Sequence, residues 1–253
     1  MNKIVFIFLL LIIPATAYAD IYSDRSTFKI AIDAGHSKNN PGAKSAKGVG
    51  EYFFNKKIAK LISEELKNRG FTNLIYINEE GNDITLSERV KMANGTKARL
   101  LISIHHDSVQ PFYLSEWSYN NKKLKYSDKF NGYSLFYSEK NVKSLQSFRV
   151  ATLIGKELLN MGFSPTNHHA EKIDGENREL VDRGKGIYRF DNLVMLKSSM
   201  MPAVLIECGI IMNRMEEIFL SNPVYQKALV LSICQAVERQ CAEESIYFKK
   251  SNN

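Results

Sequence analysis

Phe28-Lys29-Ile30-Ala31-Ile32-Asp33-Ala34-Gly35-His36 is a short apolar run that breaks into a turn bearing an acid, a glycine and an imidazole. Residues 28–32 read as a buried first strand, because a brief β-branched run bounded by turn residues suits a strand covered on both faces. Gly35 permits a sharp turn and a close backbone approach to whatever His36 contacts. Over residues 51–69 the period changes. Phe54, Ile58, Leu61, Ile62 and Leu66 recur at helical spacing, and Gly70 is a natural stop. A strand feeding an amphipathic helix is the opening of an α/β sheet.

The alternation continues outward from this unit. Residues 74–77 predict a strand, and 86–94 a short helix with Thr85 as its cap. Residues 100–104 predict a buried strand ending at His105-His106, 133–137 another, and 144–161 a helix stopped by Gly162. Residues 193–196 and 203–206 read as two further strands, and Asn222-Pro223 opens a last helix reaching about Arg239. The fold class is a single-domain α/β hydrolase-like fold. Its twisted sheet, mostly parallel or mixed, has about six strands and helices on both faces. Residues 110–131, with Trp117 and several tyrosines, and the charged stretch 164–185 read as long loops, which in a compact domain tend to carry function. The tail after Cys241 reads as charged and frayed. No internal repeat or low-complexity tract is present.

Residues 1–19 read as an export signal: Lys3, an apolar run over 4–13, and Ala17-Tyr18-Ala19 before Asp20. That run is too short to span a bilayer core of about 30 Å as a helix. The expected mature chain, residues 20–253, holds no further membrane span and forms the catalytic domain, with a core over about 28–240. The periplasm is the expected destination, with secretion or the cell wall as the alternative. Cys208, Cys234 and Cys241 are too few for a disulfide scaffold and read as buried thiols; a single bridge is the alternative. The formal charge of +7 suits an anionic polymer, while scattered basic residues without a reader motif argue against nucleic acid.

His36, Glu51 and His105 make the three-ligand set of a catalytic zinc, one ion per chain, leaving the fourth position to water. His36 follows the first strand, His105 the third, and Glu51 starts the intervening helix. They meet where open α/β sheets place their sites, at the carboxyl ends of the strands. Glu207, ending the apolar run Ala203-Val204-Leu205-Ile206, is the candidate general base. Strand alternation puts Ser103 and His105 on one face and Ile102 and Ile104 on the other, so His105 is the ligand. His106 then supports the site or faces substrate, and Asp107 orients an imidazole. His168 and His169 read as loop surface residues.

These motifs resemble the zinc-dependent N-acetylmuramoyl-L-alanine amidases that trim peptidoglycan. Asp33-Ala34-Gly35-His36 is similar to that family's Asp-Pro-Gly-His, and Gly50-Glu51 with Asn55 to its Glu-x-x-x-Asn. Leu86-Ser87-Glu88-Arg89 with Ala93-Asn94 resembles its Leu-x-x-Arg…Ala-Asn, and Ser103-Ile104-His105 its Ser-Ile-His. Pro202-Ala203-Val204-Leu205-Ile206-Glu207 resembles Pro-x-Val-Leu-Val-Glu, with Asn213 and Glu216 echoing Ser-Asn-x-x-Glu. The departures are Ala34 for proline, His106-Asp107, and Cys208 after the glutamate, where a thiol could coordinate or oxidise.

The resemblance implies His36, Glu51 and His105 as zinc ligands and Glu207 as catalytic glutamate. Asn55, Arg89, His106 and Asp107 would support the site or the substrate. The implied reaction cleaves the amide between N-acetylmuramic acid and L-alanine during wall remodelling, daughter-cell separation or turnover. Some relatives block their own zinc with an acidic side chain until a partner protein displaces it. Residues 164–185 stand about where such a segment would, with Glu176 or Glu179 as the blocking group. The alternatives are another exported zinc peptidase or carboxypeptidase acting on stem peptides, and a non-catalytic wall-binding module, whose expected sign is a lost ligand or base. Trp117 and neighbouring tyrosines could pack on sugar faces or simply pack the loop.

Overall fold

Apolar side chains on both faces of one sheet organise the chain. The computed structural model describes residues 25–251, with side chains along the last helix as far as Ile246. The expected export segment, residues 1–19, and the expected start at Asp20 lie outside the described residues.

In chain order the elements are β1 (Ile30–Ala34), α1 (Glu51–Asn68), β2 (Leu74–Ile77), α2 (Leu86–Gly95) and β3 (Leu100–Asp107). There follow β4 (Ser115–Tyr119), β5 (Lys122–Tyr126), β6 (Ser134–Tyr137), α3 (Ser144–Asn160), β7 (Glu179–Asp182) and β8 (Ile187–Arg189). The chain continues through α4 (Val194–Lys197), β9 (Ala203–Ile210), α5 (Arg214–Ser221) and α6 (Pro223–Ser251). Seven strands form one mixed sheet in the order β2-β1-β3-β9-β6-β8-β7. β1 is parallel to β2 and β3, and β3 to β9; β6 is antiparallel to β9 and parallel to β8. From β1 the chain goes to β2 on one side and returns as β3 on the other. This reversal opens a crevice beyond the carboxyl ends of β1 and β3.

One layer packs Ile58, Ile62 and Leu66 of α1, Ile154 and Leu158 of α3, and Ile233 and Val237 of α6 against Ile30, Ile32, Ile102, Ile104, Val204 and Ile206. On the other face Val90 and Ala93 of α2 and Met195 and Leu196 of α4 cover Ala31, Leu101, Ala203 and Leu205. The strands therefore read as continuous apolar runs, as strands covered on both faces do. Thr85 caps α2 in a reciprocal box: Glu88 N donates to Thr85 Oγ1 (3.2 Å), and Thr85 N to Glu88 Oε2 (2.7 Å). Asn222 Oδ1 accepts from Val224 N (2.8 Å) at the start of α6.

Several expectations are corrected. The mixed sheet of about six strands is as expected and holds seven; β7, within 164–185, and β8 after it are the two strands not expected there. β7 is a four-residue edge strand paired only with β8 and too short to show an alternation, so its sequence looks like loop. Residues 193–196 are not a strand: Val194–Lys197 is one helical turn, and Asn141 Nδ2 donates to the Leu196 carbonyl (2.6 Å). A four-residue apolar run does not reveal its own period. The stretch 110–131 holds an antiparallel hairpin, β4–β5. The tail after Cys241 continues α6 instead of fraying there. Cys208, Cys234 and Cys241 are buried thiols, as expected.

Candidate metal centre and active site

Glu51 is the first residue of α1 and bridges two imidazoles. Its Oε2 lies 2.9 Å from His36 Nε2, and its Oε1 lies 3.0 Å from His105 Nδ1. One donor atom from each of the three lies within 4.8 Å of the others. Burial alone would raise the Glu51 carboxyl. The hydrogen bonds with His105 and His36 outweigh it and hold the group well below the usual carboxylate range.

The backbone around this triad is built for close approach. A Cβ on Gly35 would sit 2.1 Å from the His105 ring, so only glycine lets that ring stand against the β1 turn. Gly42, at φ +75°, passes equally close over the opposite side, where a Cβ would meet Glu51 Oε2 at 2.5 Å and the His36 ring at 2.7 Å. His36 itself is left-handed, at φ 67°, which is uncommon for a residue with a side chain.

Arg89 holds that turn. Its Nη1 donates to Asp33 Oδ1 (2.7 Å) and to the Ala34 carbonyl (2.7 Å), and its Nη2 to the His36 carbonyl. Ser103 Oγ donates to the other Asp33 oxygen (2.8 Å). Asn55, one helical turn beyond Glu51, donates to Glu51 Oε1 (3.0 Å) and the Gly35 carbonyl (3.2 Å). Asn55 Oδ1 stands 2.8 Å from His106 Nδ1. His106 therefore faces α1, away from His105, as strand alternation requires, and burial pushes it down to about 3.

Glu207 is the register partner of His105 across β3 and β9. Its Oε2 is buried without a hydrogen-bond partner. Burial pushes the carboxyl well above its ordinary range, and the charges of Asp107 and Glu51 add to this. A cavity of about 470 Å³ is lined by His105, Asp107, Gln110, His169, Glu176, Arg178 and Glu207 among others. The triad and the orphaned Glu207 oxygen thus present carboxylate and imidazole donors, a donor set that suits a divalent cation. Cys208 lies on the opposite strand face, in the apolar core, where burial raises its thiol well above the ordinary value and makes it inert.

Asp107 contacts two imidazoles, those of His168 and His169. Its Oδ2 lies 3.3 Å from His168 Nε2 and 2.8 Å from His169 Nε2. The expectation that these two histidines are surface residues is corrected: they are 3% and 7% exposed. Their burial was hidden because the segment around them is highly charged and its contacts are long-range. Glu176 accepts from Gln110 Nε2 (2.8 Å) and Arg178 Nη1 (3.2 Å) and stands 2.7 Å from His169 Nδ1. To reach the His36–Glu51–His105 triad it would have to leave these partners. Glu179 lies exposed on β7 beside Arg189 (3.1 Å). Gln110 and Arg178 belong to the cavity wall, and nothing in their local sequence marks them.

Among the other residues of the family motifs, Asn213 Oδ1 caps α5 by accepting from Met215 N and Glu216 N (both 3.0 Å). Glu216 accepts from Gly132 N (2.8 Å) and Ile210 N (3.0 Å). Trp117 Nε1 donates to the Ala46 carbonyl (2.8 Å), and its ring stacks on Tyr119. Loop packing is thus real for Trp117.

The sequence model of the N-acetylmuramoyl-L-alanine amidase family matches residues 30–239. A putative N-acetylmuramoyl-L-alanine amidase of Buchnera aphidicola subsp. Baizongia pistaciae is 27% identical over 221 residues, covering 83% of this chain and 94% of that one. A probable N-acetylmuramoyl-L-alanine amidase of Haemophilus influenzae is 26% identical, covering 82% of this chain and 51% of its own length. An N-acetylmuramoyl-L-alanine amidase of Clostridium difficile superposes with a TM-score of 0.65 at 23% identity, covering 84% of this chain and 95% of that one. The structural likeness speaks for the fold. The family match spans both strand ends, the helix that carries Glu51 and the strand that carries Glu207. The chain therefore belongs to the N-acetylmuramoyl-L-alanine amidase family.

Proposed function

We propose that this protein is a zinc-dependent hydrolase cleaving the amide between N-acetylmuramic acid and the L-alanine of peptidoglycan stem peptides. The observation that carries the reading is the His36–Glu51–His105 donor triad beside Glu207, whose buried Oε2 has no hydrogen-bond partner. His36, Glu51 and His105 would hold the ion, with Asn55 and Arg89 fixing their positions. Zinc held there would supply a Lewis acid that polarises the scissile carbonyl and makes water nucleophilic near neutral pH. Glu207 takes the proton of the attacking water and delivers it to the leaving amine, the step an amide most needs. Burial, with the charges of Asp107 and Glu51, raises its carboxyl above the ordinary range and so strengthens its hold on the proton it takes.

Residues 1–19 would direct the chain out of the cytoplasm, which fits a wall substrate, with the periplasm as destination. Among the described residues no helix is long and apolar enough to cross a membrane. The CwlD amidase of Clostridioides difficile, of the same fold, was solved in complex with the GerS lipoprotein. A protein partner is therefore worth supplying if the isolated chain is slow.

The test is product analysis after digesting purified peptidoglycan with the zinc-loaded protein. Intact stem peptides with a free L-alanine amine support the reading. Peptides cut within the stem, with L-alanine still on the glycan, would identify a peptidase instead.

A further inference from the structure

A second cluster of metal-ligating side chains stands in the wall of the same cavity, apart from the His36–Glu51–His105 triad. Asp107 follows the register irregularity between β3 and β9. One donor atom each from Asp107, His168 and His169 lies within 4.8 Å of the other two. All three residues are largely or fully enclosed, and the Phe130 ring stacks on His168 with centroids 5.1 Å apart.

The imidazoles are held by their far nitrogens. His168 Nδ1 is 3.0 Å from Thr166 Oγ1, and His169 Nδ1 is 2.7 Å from Glu176 Oε2. Both rings consequently turn Nε2 toward one carboxylate oxygen, Asp107 Oδ2. A carboxylate or hydroxyl anchoring the outer nitrogen while the inner one faces a shared point is how metal-binding histidines are oriented. A simple ion-pair network would account for His169, whose two ring nitrogens each contact a carboxylate. It leaves His168 unexplained. That residue is 3% exposed, and its Nε2, turned toward Asp107, makes no hydrogen bond.

We propose that Asp107, His168 and His169 form a second metal site that takes zinc or a cation of similar ligand preference. Two imidazoles and a carboxylate are a zinc-type donor set. An ion there would tie the 166–178 segment to β3 and seat Glu176 and Gln110 in the cavity wall. The proposal does not depend on the amidase reading.

The test is zinc stoichiometry by elemental analysis. The mature chain would be loaded with excess zinc and freed of loosely held metal by gel filtration. Two zinc ions per wild-type chain are expected, one in His36→Ala, one in His168→Gln, and none in the double variant. Zinc should also raise the melting temperature of His36→Ala and not that of the double variant. A folded His36→Ala protein that binds no zinc overturns the proposal, as does a wild type with a single ion that His168→Gln leaves in place. Should His168→Gln fail to fold, wild type and His36→Ala decide alone. A wild type whose one ion survives His36→Ala would support this site while removing the first.

Discussion

His105 and Glu207 face each other in register on the adjacent parallel strands β3 and β9. Register partners on neighbouring strands project from the same face, so one face receives both the imidazole and the proposed base. The next residue on each strand points the other way. His106 goes to Asn55 on α1, and Cys208 goes into the apolar layer. Strand geometry, rather than a loop, sets the spacing of the chemistry.

Gly35→Ala should cost the metal and leave the fold. The new Cβ would fall 2.1 Å from the His105 ring, which must then leave Glu51. Zinc affinity at this centre should drop about 10–100-fold, with an unchanged circular dichroism spectrum. Full retention would show that the ring has room to adapt.

Arg89→Ala removes one partner of a buried ion pair whose side chains are 3% and 1% exposed, and frees the His36 carbonyl. A loss of about 3–5 kcal/mol in urea unfolding is expected. Arg89→Lys should recover little of it, since an ammonium cannot reach three separate acceptors in the plane of a guanidinium.

Glu216 gives a pH signature. Burial pushes its carboxyl from the ordinary 4.5 up to about 7, so the folded protein keeps a proton that the unfolded chain releases first. Its contribution is present below pH 4.5 and is lost as pH rises toward about 7, with a slope of at most about 1.4 kcal/mol per pH unit. Glu216→Gln, which cannot ionise, should flatten that part of the stability profile in urea melts. Parallel profiles for the two proteins would contradict this origin.

The α/β class and the residues that meet at the strand ends are legible because their signals are local: apolar runs ending at Gly35-His36 and at His105, and a helical period starting at Glu51. β7 and α4 are not. Glu179–Asp182 is a four-residue edge strand with a single neighbour, and it and Val194–Lys197 are too short to show a period. His168 and His169 lie in a charged segment, and the contacts that bury them come from Asp107 and Phe130, far away in sequence. No short-range pattern encodes such contacts. Asn55 and Arg89 were found by family resemblance. Their work on the Gly35 and His36 carbonyls became visible only once the chain was folded.

The most direct measurement pairs zinc content with release of stem peptides from purified peptidoglycan, for a chain of residues 20–253 and for its Glu207→Ala variant. Both proteins should bind zinc, and chelation should silence the wild type. Release by Glu207→Ala should fall about 10²–10⁴-fold, the usual contribution of a general acid–base group. Undiminished release by zinc-loaded Glu207→Ala, or full activity of the metal-free wild type, would contradict the assignment of Glu207 and of the His36–Glu51–His105 centre.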